Sequence, residues 1–352
     1  MDEEQTGKQA GEMTETLPSP SATVEVGLSA AIVTICNNQP VILCAGEQER
    51  FSSTEQSAGS VSTLSLPYGR FDPLKHRTLE AGLRLWVEAQ TALRLGYVEQ
   101  LYTFGDRGRA KSVTPSEDNH VISVGYLALT RLSCDRTKND WQNWYEFLPW
   151  EDWRNGKPPL IDRLIVPALR EWAQSDKRSH PAYDLHLLPR LTRLRLAFGT
   201  DGIDWDEERA LERYELLYEA GLVREAVIDA NLAPAPQLEE LHRHTGQAMV
   251  FDHRRILATA IARLRAKLKY RPVIFEIMPD NFTLTALQET VEAISGRHLH
   301  KQNFRRLVEN AELVEPTGAS LSQQRGRPAA LYRFRRAVLE ERPAPGLRVT
   351  LN

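Results

Sequence analysis

The chain has 352 residues, of which 41% are hydrophobic and 26% charged, with a formal net charge of -3. That length exceeds the usual span of one domain, and no apolar run approaches the roughly twenty residues a membrane-spanning helix needs, so two soluble globular units and no membrane partner are expected. Cys36, Cys44 and Cys134 are odd in number and lack CxxC spacing, which argues against a disulfide framework and a structural zinc site and fits a reducing cytoplasm.

Residues 1–25 are acidic, polar and Pro/Ser-containing, without the basic start and apolar core of a secretion signal, and read as a disordered tail. The run 28–45 places two β-branched segments around Asn37-Asn38-Gln39-Pro40, the pattern of a hairpin. After a Gly/Ser/Thr-rich connection, Leu79, Leu83, Trp86, Val87 and Leu93 recur at helical spacing, which predicts an amphipathic helix over 79–95. VEQLYTFGD and VISVGYLALTRL follow as strands, so residues 26–132 read as an α+β sandwich of strands embracing one central helix. From 135 to 245 the composition turns helical and Trp-rich, with Trp141, Trp144, Trp150, Trp153, Trp172 and Trp205 serving as packing. His253 to Lys269 forms one further amphipathic helix with many basic residues.

The C-terminal region carries an uneven charge. Nine Lys or Arg and three acids lie between Arg297 and Arg336, a balance that suits a polyanion. Thr285-Ala-Leu-Gln288 has capping-box spacing, Leu284, Leu287, Val291 and Ile294 make an apolar stripe, and Gly296 supplies a stop. A second helix over 300–311 sets Phe304, Leu307, Val308 and Ala311 inward. That leaves Lys301, Gln302, Arg305 and Arg306 outward, with Asn303 on the flank, as a recognition helix requires. LVEPTG and ALYRFRR are two short strands around a loop with Arg325 and Arg327, the pattern of a wing. His298 and His300 lack nearby ligands at metal-binding spacing, so no metal is expected there.

These segments resemble the Nudix-related transcriptional regulators of bacterial NAD metabolism, in particular the larger NadQ-like subgroup, related to NrtR. The resemblance rests on LPYGRFDP, QLYTFGDRGR, VISVGYLALTR, FDHRRILATAIARLRAKL, FTLTALQETVEAISGRHLHKQNFRRL and GRPAALYRF. It implies an α+β chain: a Nudix-like α/β/α sandwich over 26–271 with a helical insertion at 135–245, a winged helix-turn-helix over 272–340, and a tail at 341–352. It also implies a ligand-responsive repressor of NAD biosynthesis or salvage genes, acting as a homodimer on a palindromic operator in double-stranded DNA. The expected effectors are ATP and nicotinate first, then NAD and ADP-ribose, with no cofactor required.

Active Nudix hydrolases carry Arg-Glu-x-x-Glu-Glu on the central helix, because adjacent carboxylates hold magnesium against a pyrophosphate. Here Leu85 and Trp86 stand at the Arg-Glu pair and Ala89 and Gln90 at the paired glutamates, with only Glu80 and Glu88 nearby. No catalytic residue is therefore assigned, and the cleft is expected to bind a nucleotide without cleaving it. Phe104 for ring stacking, with Arg70, Arg107 and Arg109 for phosphate or carboxylate, are the candidate ligand contacts. The competing readings are a pyrophosphohydrolase of the ADP-ribose or NAD class with an atypical metal site, and a scaffold that does not touch DNA.

Overall fold

Asn37 and Asn38 adopt left-handed φ of 49° and 59° and close strand β1 (Thr23–Cys36) onto β2 (Gln39–Leu43), with Cys36 opposite Gln39. Two consecutive positive φ values define the hairpin turn whose twist matches paired strands, and Asn tolerates them better than most side chains. The computed structural model describes residues 23–46, 64–106, 119–131, 141–175, 188–230, 236–321, 328–341 and 346–347. Arg107, Arg109, Arg325, Arg327, Cys134 and most of both expected tails lie outside the described residues.

Past the hairpin come the short strands β3 (Ala45–Gly46), β4 (Leu64–Ser65) and β5 (Tyr68–Arg70), then helix α1 (Leu79–Thr91), β6 (Tyr97–Phe104), β7 (Asn119–Leu129) and β8 (Trp141–Asn143). The main sheet runs β6-β7-β1-β2-β8, with β5 paired to β1. β7 runs parallel to β1 from Thr23↔Asn119 to Val33↔Leu129. β8 belongs to the stretch expected as a purely helical insertion, yet it extends the sheet edge through Ile42↔Gln142.

Alternation along β1 fills both faces of the sheet. Leu28, Ala30 and Ile32 meet Leu83 and Val87 of α1. Ala31 and Val33 join Leu127 and Leu129 against Ile256, Leu257 and Ala260 of the helix on the opposite face. The expected helix 79–95 ends early, because Ala92 takes φ 55°. Thr78 caps its start by accepting from the Ala81 N–H at 3.1 Å.

Helices α2 (Val166–Gln174), α3 (Arg190–Phe198), α4 (Ala210–Glu219), α5 (Arg224–Asp229) and α6 (Glu239–His244) build the insertion, followed by the long α7 (His253–Tyr270). Trp144 and Trp150 are fully buried. Between insertion and α7 lies a buried charge cluster. The Glu151 carboxylate accepts from Arg213 Nε at 2.6 Å and Nη2 at 2.9 Å, and also from Arg265 Nη1. The other guanidinium donors reach carbonyls: Arg213 those of Ala197 and Asp206, Arg265 those of Glu207, Ile294 and Glu151. Arg213 also lies over the Trp205 ring at 3.7 Å. Desolvation pushes the Glu151 carboxyl up, but Arg213 and Arg265 outweigh it and hold its pKa below the usual value.

The chain ends in α8 (Leu284–Ser295), α9 (Lys301–Ala311), strands β9 (Val314–Leu321) and β10 (Ala329–Phe334), and a short α10 (Val338–Glu341). One apolar cluster runs from Leu127 through Ile261 and Phe275 to Leu287 and Phe304, so packing is continuous across residue 272. Among the described residues no helix is long and apolar enough to cross a membrane.

Candidate nucleic-acid interface and effector cleft

The α8–α9 unit begins with a cap two residues earlier than the sequence pattern suggests. Thr283, not Thr285, accepts from the Ala286 N–H at 3.1 Å, so Thr285 to Gln288 is no capping box. Gln288 works elsewhere: its amide donates to the Leu299 carbonyl and to Glu292 Oε1, both at 2.8 Å. Glu292 Oε1 also accepts from the Leu299 N–H at 2.8 Å, and its Oε2 lies 3.0 Å from His298 Nδ1. Gly296, at φ 76°, ends α8 where a Cβ would come within 2.4 Å of the Glu151 carbonyl. These contacts fix the turn from which α9 starts.

On α9, Phe304 and Val308 are buried, while Lys301, Gln302, Asn303, Arg305 and Arg306 are exposed together. Among the described residues Lys301, Arg305 and Arg306 enter no ion pair. The basic segment as a whole does not act alike, however. Arg333 is bound to Glu315 at 2.6 Å, Arg335 forks onto Glu341, and Arg297 lies 5.4 Å over the Trp153 ring. Among the described residues of this segment the cations neither paired nor stacked are therefore Lys301, Arg305 and Arg306 on the outer face of α9, and Arg336 beyond β10. β9 and β10 form the antiparallel hairpin of a wing, from Val314↔Phe334 to Leu321↔Ala329.

In the N-terminal sandwich helix α1 closes on β5. Trp86 Nε1 donates to the Arg70 carbonyl at 2.8 Å and Gln90 Nε2 to the Tyr68 carbonyl at 2.8 Å. The indole covers Gly69 so closely that an added Cβ would meet it at 2.1 Å. Two neutral donors and an aromatic ring therefore line this side of α1, and neither an amide nor an indole offers an anionic ligand to a cation. Glu88 and Glu80 are bound to Arg94 and Arg84 at 3.0 and 2.9 Å. Among the described residues no group of three or more His, Cys, Asp or Glu is placed to hold a metal ion.

Arg70 is exposed on β5 beside this contact. Phe104 is not an open stacking platform. It is 2% exposed, packs against Gly125, and carries the Arg255 guanidinium 4.8 Å over its ring, with Arg255 itself bound to Asp106 and Glu215. The reason is a register shift in β6 between Gln100 and Thr103, which turns Leu101 and Phe104 to the same buried face.

The sequence reading passed over His253. Its Nδ1 accepts from the Leu66 N–H at 3.1 Å, which leaves Nε2–H to face Ser29 Oγ at 3.4 Å, so one imidazole joins α7 to the Leu66 segment and β1. Burial alone lowers its pKa to about 3, and the ring is neutral at physiological pH. Only its place in FDHRR ahead of a strong helix hinted at such a role.

The family model for the NrtR DNA-binding winged helix domain matches residues 274–334. A curated protein of Acinetobacter baylyi, the ADPR responsive transcriptional repressor NtrR, is 43% identical over 86 residues, which cover 24% of this chain and 34% of that protein. The chain thus aligns with about a third of the length of the curated relative it matches. Among solved structures, Shewanella oneidensis NrtR complexed with a 27mer DNA superposes with a TM-score of 0.49 at 18% identity, over 90% of this chain and 95% of that one. A MutT/nudix family protein from Enterococcus faecalis gives 0.46 at 14%, over 91% and 89%. The α8–α9 pair and the β9–β10 hairpin lie within the matched residues 274–334 and have the order of a winged helix, similar to the NrtR DNA-binding domain.

Proposed function

We propose that this chain is a ligand-responsive transcriptional repressor of NAD biosynthesis or salvage genes. A catalytically silent Nudix-like sandwich senses an NAD-pathway metabolite, and a winged helix reads double-stranded DNA. The observation that carries the proposal is the outer face of α9, where Lys301, Gln302, Asn303, Arg305 and Arg306 stand exposed while Phe304 and Val308 anchor the helix. An exposed cationic helix face in a winged helix suits the major groove, where guanidinium forks read guanine and lysines neutralise phosphate. Arg325 and Arg327 are assigned to the wing, and a homodimer on a palindromic operator follows from the short half-site one such unit can read.

ADP-ribose moves to the front of the expected effectors, ahead of ATP, nicotinate and NAD, because the Acinetobacter baylyi relative is named as responsive to it. Arg70, Arg107 and Arg109 remain the proposed anion contacts of the sandwich.

The test is fluorescence anisotropy on duplexes from upstream regions of NAD-pathway genes and on scrambled duplexes, at several salt concentrations. Arg305→Ala or Arg306→Ala should cost about 1–3 kcal/mol and relax sequence preference if the side chain grips a base. It should weaken all duplexes alike and flatten the salt slope by about one if the side chain grips phosphate. Unchanged affinity in both variants, with the circular dichroism of the native chain, refutes α9 as the reader.

A further inference from the structure

The segment that leaves α7 is fastened on two sides. Arg131, just past β7, donates to Asp280 at 2.6 Å and to the Phe275 carbonyl at 3.0 Å. Phe275 in turn stacks on Phe334 of β10, with centroids 4.4 Å apart and planes 19° apart. Phe282 and Tyr332 exchange two backbone hydrogen bonds at 2.9 and 2.8 Å. The wing is thus tied to the linking segment, and the linking segment to the end of the sensing sheet.

Where these three parts meet there is a cleft of about 720 Å³, a volume suited to a small organic ligand. Its wall is aromatic, from Tyr97, Phe275 and Phe334, and its rim is cationic, from Arg131, Arg271 and Arg336. Arg131 is bound to Asp280, one of the two acids of the lining, whereas Arg336 is exposed and joins no ion pair among the described residues. Lys267 and Arg333 add to the lining but are held by Glu99 and Glu315. An apolar aromatic wall beside guanidinium groups suits a molecule with a planar ring at one end and an anionic group at the other, since guanidinium forks match phosphate and carboxylate.

We infer that this junction cleft is a binding site for a planar-ring anion of mononucleotide size, and that its occupant sets the wing against the sensing sheet. The ring lies along Phe334 of β10 and Tyr97 of β6, both partly exposed, with the buried Phe275 backing Phe334, and the anion meets Arg336 and Arg271. A ligand that touches both Phe334 of β10 and Tyr97 of β6 binds different arrangements of wing and sheet unequally, which is what a shift in DNA affinity requires. This deepens the proposed ligand response and rests on that reading only for its effect on DNA.

The experiment is calorimetric titration of the full chain with adenosine 5′-monophosphate, with adenosine supplying the ring alone and ribose 5-phosphate the anion alone. The nucleotide should bind saturably, and each half-molecule about tenfold or more weakly. Arg336→Glu and Arg271→Glu should each lower nucleotide affinity about tenfold or more, while Arg94→Glu, exposed on the sandwich and outside either proposed site, leaves it unchanged; Arg70→Glu, a proposed contact of the sandwich, is measured alongside. In the anisotropy assay the nucleotide should shift duplex affinity of the native chain but not of Arg336→Glu. Failure to saturate, unchanged affinity in both junction variants, or a loss confined to Arg70→Glu overturns the inference. Should the native chain bind no duplex, the repressor reading falls while the calorimetry still decides the junction site.

Discussion

Replacing Glu151 by glutamine tests how the insertion, α7 and α8 hold together. The carboxylate receives three charge-assisted hydrogen bonds from Arg213 and Arg265 and is fully buried. Glutamine keeps one acceptor oxygen but sets an amide NH2 against a guanidinium and leaves two buried cations without a counter-charge. Breaking a buried pair in this way costs about 3–5 kcal/mol, against a total stability on the order of 5–15 kcal/mol. Urea unfolding of Glu151→Gln at neutral pH, followed by far-UV circular dichroism, should show that loss as a lower midpoint with an unchanged slope. Because the folded carboxyl titrates below its usual value, its contribution is present above the unfolded pKa and fades as pH falls through the folded one. The variant should therefore lack that part of the acid sensitivity. A loss under about 1 kcal/mol would refute the reasoning, since removal of a counter-ion from a buried site cannot be that mild.

His253 makes a second acid-sensitive site of opposite charge type. Its pKa is lowered from 6.5 to about 3 on folding, so the unfolded chain binds more protons in that interval. Stability should then fall as pH drops below about 6.5, by up to about 1.4 kcal/mol per pH unit; thermal melts of the native chain and His253→Gln between pH 7 and 4 should converge as pH decreases, and parallel curves would refute the assignment. On the proposed reading that Trp86, Ala89 and Gln90 stand where a Nudix helix carries its glutamates, ADP-ribose, NAD and ATP incubated with the chain and magnesium should survive intact. Release of nucleoside monophosphate at ordinary enzymatic rates would restore the hydrolase reading.

Local signals in the sequence were legible where one short segment settles its own conformation. Asn37-Asn38 announced the hairpin, and the stripe Phe304, Leu307, Val308 and Ala311 announced α9, because turn chemistry and helical period act over a few residues. Contacts that depend on distant partners were not legible. Glu151 meets Arg265 at a separation of 114 residues, and nothing near Glu151 marks it as buried. β8 is three residues long and becomes a strand only because β2 offers an edge. Phe104, expected as a ring-stacking contact, is buried, because the register shift in β6 turns it to the same face as Leu101, and no local pattern in the sequence announces that shift. The count of basic residues over 297–336 likewise overstated the cationic surface, since pairing of Arg333 and Arg335 depends on where Glu315 and Glu341 fold.

The parallel pairing of β1 with β7 has a consequence for biosynthesis. Val24 finds His120 and Val33 finds Leu129 only after about a hundred intervening residues have left the ribosome, and α7 covers the Ala31 and Val33 face later still. Loop closure over such a distance slows folding. Until residues 253–270 emerge, the nascent chain presents a half-covered apolar sheet. A nascent chain arrested before α7 would expose the face that invites association, which makes this sheet the natural client of chaperones during synthesis.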